Sequence, residues 1–84
     1  MFDLGDLATL IRLVEIDLYH LKLDTDSEDD ETRDNAGELI IQVDNLAGKL
    51  KIEYEAQWTD ENGFPRYVEY LEIIKRHPPF NEKV

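Results

Sequence analysis

The segment KLKIEYEAQW, residues 49–58, constrains the fold most. Leu50, Ile52, Tyr54, Ala56 and Trp58 alternate with Lys49, Lys51, Glu53, Glu55 and Gln57. Successive side chains on an extended strand point to opposite faces, so this alternation predicts a half-buried strand with one wet face. Just upstream, Leu39, Ile41 and Val43 alternate in the same way, and DNLAG at residues 44–48 has turn chemistry. Together the two runs predict a hairpin. A helix over residues 36–50 competes, because Ala36, Leu39, Val43, Leu46 and Leu50 also recur at helical spacing. That helix must tolerate Gly37 and Gly48, and it leaves the later alternation without an account.

Asn62-Gly63 is a strong two-residue hairpin signal. With that pair as the loop, Trp58 faces Tyr67, Tyr54 faces Leu71 and Ile52 faces Ile73, favourable cross-strand pairs on one face. The same register sets Ala56 against Glu69, places Glu53 opposite Glu72, which is a cost, and leaves Val68, Tyr70 and Ile74 on the other face. A strand apolar on both faces needs cover on both sides, so these three residues mark a candidate apolar interface. The rival reading of PRYVEYLEIIKRHPP is a helix beginning near Pro65 and ended by bases and Pro78-Pro79. In that case the apolar surplus largely collapses into one buried face.

At the N-terminus, residues 3–14 read as a helix with Leu4, Leu7, Ile11 and Val14 on one face and Asp3 as its cap. The spacing continues through Leu18 and Leu21. Residues 14–23 also alternate, however, with Val14, Ile16 and Leu18 against Glu15 and Asp17, and a strand is the favoured reading there. The expected fold is therefore α+β: an N-terminal helix packed on a small antiparallel sheet, a meander of three or four strands, with a helix in place of the last strand as the alternative. One domain spans residues 1–84, with an acidic loop over 24–37 and a loose tail over 78–84.

The acidic stretch DTDSEDDETRD carries Asp24, Asp26, Glu28, Asp29, Asp30, Glu31 and Asp34, interrupted by the single base Arg33. The whole chain has a formal net charge of −11. Residues 24–38 hold eight acids and one base, so about two thirds of that charge sits in under a fifth of the chain. Read as a calcium loop from Asp24, the stretch has Asp29 where the turn glycine is needed and Asn35 where the bidentate Glu is needed. Starting from Asp26 it fails as well. No specific metal site is expected, and no cofactor.

Catalysis finds no support in residue types. There is no cysteine, Ser27 is the only serine and lies inside the acidic run, and His20 and His77 are far apart in sequence. Direct nucleic-acid binding is disfavoured, because nine bases are scattered among twenty acids and phosphates demand Lys and Arg. Tyr54, Trp58, Tyr67 and Tyr70 lack a basic groove and read as core or apolar interface. No apolar run approaches the roughly 20 residues of a membrane span. The N-terminus MFDLGDLATLIRL has acids where a secretory signal needs bases, which points to a cytoplasmic protein.

Protein binding remains. The expected function is a noncatalytic acidic module that masks the basic, nucleic-acid-binding surface of a protein partner, as an inhibitor, immunity protein, antitoxin or anti-defence protein would. The seven acids of the stretch are its candidate contacts. The alternative is a small homo-oligomeric structural or accessory protein, a homodimer for example, whose acidic loop serves solubility. No known family is resembled.

Overall fold

The computed structural model describes residues 2–81. Three helices make up its regular structure: α1 (Leu4–Asp24), α2 (Asp30–Gln57) and α3 (Tyr67–Lys75). No strand occurs among the described residues. The α+β expectation and its antiparallel meander are therefore wrong, and the chain folds as a three-helix bundle.

The first correction is at residues 14–23, expected as a strand. α1 instead runs without a break to Asp24. Its buried positions are Leu4, Leu7, Ala8, Ile11, Val14, Leu18 and Leu21, a stripe at three- and four-residue spacing over five turns. The alternation of Val14, Ile16 and Leu18 is incidental, since Val14 and Leu18 are already one helical turn apart. Asp3 caps the helix by accepting from the Asp6 N–H at 2.8 Å, and the Asp6 carboxylate accepts in return from the Asp3 N–H at 3.4 Å.

The second correction is larger. Both runs expected as a hairpin, up to Gln57, and the DNLAG turn between them lie inside α2, with Trp58 as its extended C-cap. Within the alternating segment, Leu50 and Tyr54 share a helix face and are buried at 9% and 0% exposure, whereas Ile52 on the opposite face is 69% exposed. Ile41 is likewise 65% exposed. The reason lies in the partner surface. A five-turn apolar stripe on α1 demands an equally long cover, and Ala36, Ile40, Val43, Ala47, Leu50 and Tyr54 supply it at helical spacing. The Leu, Ala, Glu and Lys content of α2 adds helix propensity throughout.

α1 and α2 pack as an antiparallel hairpin joined by residues 25–29. Gln57 Nε2 donates to the Phe2 carbonyl at 2.9 Å and fixes the open end. The chain does reverse between α2 and α3, but not through the expected two-residue Asn62-Gly63 hairpin turn: Asn62 N–H donates to the Thr59 carbonyl at 3.4 Å around Asp60-Glu61, and Gly63 alone takes a positive φ, 77°. The last segment takes its helical alternative. α3 returns along the hairpin and Tyr70 Oη donates to the Ala8 carbonyl at 2.6 Å.

Tyr54 sits at the junction of all three helices. Its hydroxyl donates to the Pro65 carbonyl at 2.7 Å, its ring stacks on Tyr70 at 6.0 Å, and Tyr67 approaches it at 6.2 Å. In the segment expected to be a loose tail, Phe80 meets Tyr19 edge to face at 5.3 Å. The tail's residues 82–84 lie outside the described residues.

Gly37 and Gly48 do sit inside a helix, and the helix accepts them. A Cβ at Gly48 would meet no atom within 4 Å. Gly48→Ala is expected to stabilise the protein by about 0.5–1 kcal/mol, read by denaturant titration. A destabilisation would mean that α2 does not pass through this residue as a helix.

Candidate functional site

Only residues 25–29 of the expected acidic loop are outside helices; residues 30–37 form the first two turns of α2. The correction has a local cause. Asp29 is the N-cap of α2, its carboxylate accepting from the Thr32 backbone N–H at 3.0 Å and from the Thr32 hydroxyl. Asp30 and Glu31 then lie in the first turn, where the positive end of the helix dipole favours acids. Arg33 pairs with Asp30 and donates to the Ser27 carbonyl at 3.4 Å. The Asp29 N–H donates to Ser27 Oγ at 3.1 Å. Asp29 as an N-cap with acids at the next two positions is a helix-start signal, and the surrounding density of charge masked it.

All seven candidate acids are exposed. Asp24 ends α1, Asp26 and Glu28 occupy the connection, and Asp29, Asp30, Glu31 and Asp34 start α2. They converge on one tip of the hairpin, the end remote from the Gln57–Phe2 contact. Asp30 and Asp34, one helical turn apart, share the side of α2 turned away from α1, and Glu38 continues that row. Like charges at this spacing repel by several tenths of a kcal/mol per pair. The dipole offsets part of that cost in the first turn, and Arg33 offsets more. The remainder is a carboxylate surface held on helical scaffolding rather than on a free loop. No group of three or more potential metal ligands is assembled among the described residues.

Asp29 differs from its neighbours in its proton affinity. The Thr32 hydroxyl, and then the Thr32 N–H, hold its carboxyl below the usual 3.8. The folded state thus binds this proton more weakly than the unfolded chain does. The cap's contribution is present above about pH 3.8 and disappears as the pH falls through the lowered folded value. Asp29→Ala is expected to lower the melting temperature at pH 7, with the gap from the parent protein closing in acid. A gap that persists at low pH would dissociate the cap from its charge.

The second candidate set does not form one surface. In α3, Ile74 is buried at 5% exposure and Tyr70 is half-buried against α1, while Val68 faces outward at 63%. Tyr70 and Ile74 are one helical turn apart, and Val68 lies on the far side. The interface depended on strand geometry and does not survive as drawn.

The aromatic side chains are structural as well. Trp58 Nε1 donates to the Phe64 carbonyl at 2.8 Å, and the Arg66 guanidinium covers the Trp58 ring at 4.3 Å. Tyr54 is fully buried and cannot receive a base. The histidines remain apart: His20 is exposed and edge-on to Tyr19, whereas His77 lines a cleft with Arg12 and Tyr70. No helix among the described residues is long and apolar enough to cross a membrane. The chain matches no protein-family model, and no curated protein or solved structure is significantly similar to it.

Proposed function

We propose that the protein is a noncatalytic acidic module that binds a basic protein surface, of the kind that otherwise contacts nucleic acid, through the tip of the α1–α2 hairpin. The supporting observation is the clustering of Asp24, Asp26, Glu28, Asp29, Asp30, Glu31 and Asp34 on two helix ends and a five-residue connection, all solvent-exposed. Exposed carboxylates at fixed positions attract a basic partner at long range and can form bidentate pairs with Arg on contact. Asp29 serves mainly as the cap, so the outward acids Asp30, Glu31 and Asp34 are the ones to test.

The experiment is a low-salt capture with the parent protein and the triple variant Asp30→Asn, Glu31→Gln, Asp34→Asn. The parent is expected to retain basic proteins at about 50 mM salt and release most of them by about 300 mM, where screening shortens the reach of the tip charge. The triple variant is expected to bind at least about tenfold more weakly, with a shallower salt dependence. Recovery of no basic protein by the parent at low salt rejects the reading.

A further inference from the structure

We infer that the face of the α1–α2 hairpin opposite α3 is a groove for a basic amphipathic helix supplied by a protein partner. α3 meets α1 along Ala8, Arg12 and Tyr19, the last through Phe80, and meets α2 at Lys51 and Tyr54. Helical geometry advances about 100° per residue, which puts Leu10 and Leu46 on the opposite side of the hairpin.

Two stripes define that side. On α1, Asp6, Leu10, Leu13, Asp17 and Asp24 recur at helical spacing; on α2, Leu39, Gln42, Leu46, Lys49 and Glu53 do the same. The antiparallel pairing sets Leu13 beside Leu46. Leu13, Leu39 and Leu46 are 51%, 45% and 47% exposed, and Leu10 is half-buried between them and the core. A polar face would suffice for a three-helix bundle. Leucines here leave a fourth helix position apolar and open.

Charge selects the occupant. The leucine strip is bordered by Asp6, Asp17 and Glu53, with Lys49 as the one base, whereas Arg12 and Lys51 lie on the α3 side. A second copy of this chain would bring its own acidic borders against these. A helix with leucines on one face and Lys or Arg flanking them matches both the strip and its rim, the helix-in-groove mode. The inference rests on the acidic-module reading for the sign of the partner's charge. It adds a separate site, on the side of the hairpin rather than its tip, and a partner conformation.

The test uses a synthetic 18-residue Leu/Lys peptide patterned as an amphipathic helix and a scrambled peptide of the same composition, titrated by calorimetry. The protein variants are Leu13→Gln with Leu46→Gln, and the triple tip variant above; each is checked for helix content first. Both leucines are half exposed, so the double variant is expected to fold. The parent is expected to bind the patterned peptide at least about tenfold tighter than the scrambled one, with the double leucine variant removing that difference. The tip variant is expected to weaken both peptides in parallel and keep their ratio. Equal binding of both peptides by the parent, or an unchanged ratio in the leucine variant, overturns the groove and leaves the tip reading standing. Loss of all binding in the tip variant alone also overturns it. A concentration-dependent dimer in light scattering that Leu13→Gln and Leu46→Gln dissociate would assign the face to a second copy instead. Failure of basic proteins to bind at all, with patterned-peptide discrimination intact, would reject the proposed function and keep the groove.

Discussion

Tyr54→Ala is expected to cost about 3–5 kcal/mol and to leave the protein largely unfolded at 37 °C. At roughly 0.05–0.15 kcal/mol per residue, a chain of 84 residues has about 4–13 kcal/mol in hand, so the loss is comparable with the total. The ring is fully buried between all three helices, and truncation removes the stack with Tyr70 and the contact with Tyr67 together. Tyr54→Phe isolates the hydroxyl. It keeps the rings packed but leaves the Pro65 carbonyl without its donor, and is expected to cost about 1–2 kcal/mol. Urea denaturation followed by circular dichroism reads both values. A cost below about 1 kcal/mol for Tyr54→Ala would show that the junction does not hold α3 against the hairpin.

The same cluster makes the fold sensitive to base. Burial, and then the neighbouring Tyr70, push the Tyr54 phenol up; burial, and then Glu15 and Glu55, push Tyr67 up; burial raises Tyr70, partly opposed by Arg12. The folded state therefore ionises later than the unfolded chain. The tyrosine contribution is intact below about pH 10, the ordinary phenol value, and is lost as the pH climbs through the raised folded values.

Leu50→Ala and Ile52→Ala form the second pair, and they discriminate between folds. In a strand both residues would sit on the same buried face, and both substitutions would be costly. In α2 Leu50 is 9% exposed and Ile52 is 69% exposed. Leu50→Ala is expected to cost about 2–4 kcal/mol by opening a cavity against α1. Ile52→Ala is expected to fall within about 0.5 kcal/mol of neutral, because little is buried and Ala is the better helix former. Equal, large losses at both positions would contradict the helix.

That pair also shows why the fold was misread from sequence. KLKIEYEAQW matches a period of two, but residues two steps apart twice over are also one helical turn apart. Leu50 and Tyr54 satisfy both templates at once. The decisive information is the fate of Ile52, and nothing local to the segment fixes it. At residues 14–23 the ambiguity was the same: Val14, Leu18 and Leu21 fit a helix, while Val14, Ile16 and Leu18 fit a strand. In the last segment the helix, with Pro65 before it and bases at its end, was only the alternative to the favoured strand, and it is the alternative that forms. For the acidic stretch, its concentration and exposure could be read directly, but its helical half was hidden. Asp29 and Thr32 set a cap there, and the density of like charge argued for a loop.

The sequence by itself determined the charge of the surface, its concentration between residues 24 and 38, the helical start at Asp3, and the absence of thiol chemistry. These follow from residue identity and from contacts within a few positions along the chain. The tertiary structure decided between strand and helix for residues 14–23 and 39–58, gathered the acids at one tip, sent Val68, Tyr70 and Ile74 to different environments, and left Leu13, Leu39 and Leu46 uncovered. Each of these depends on which apolar stripe finds a partner of matching length. α1 offers one stripe of five turns, and α2, a helix of 28 residues, is the element that covers it.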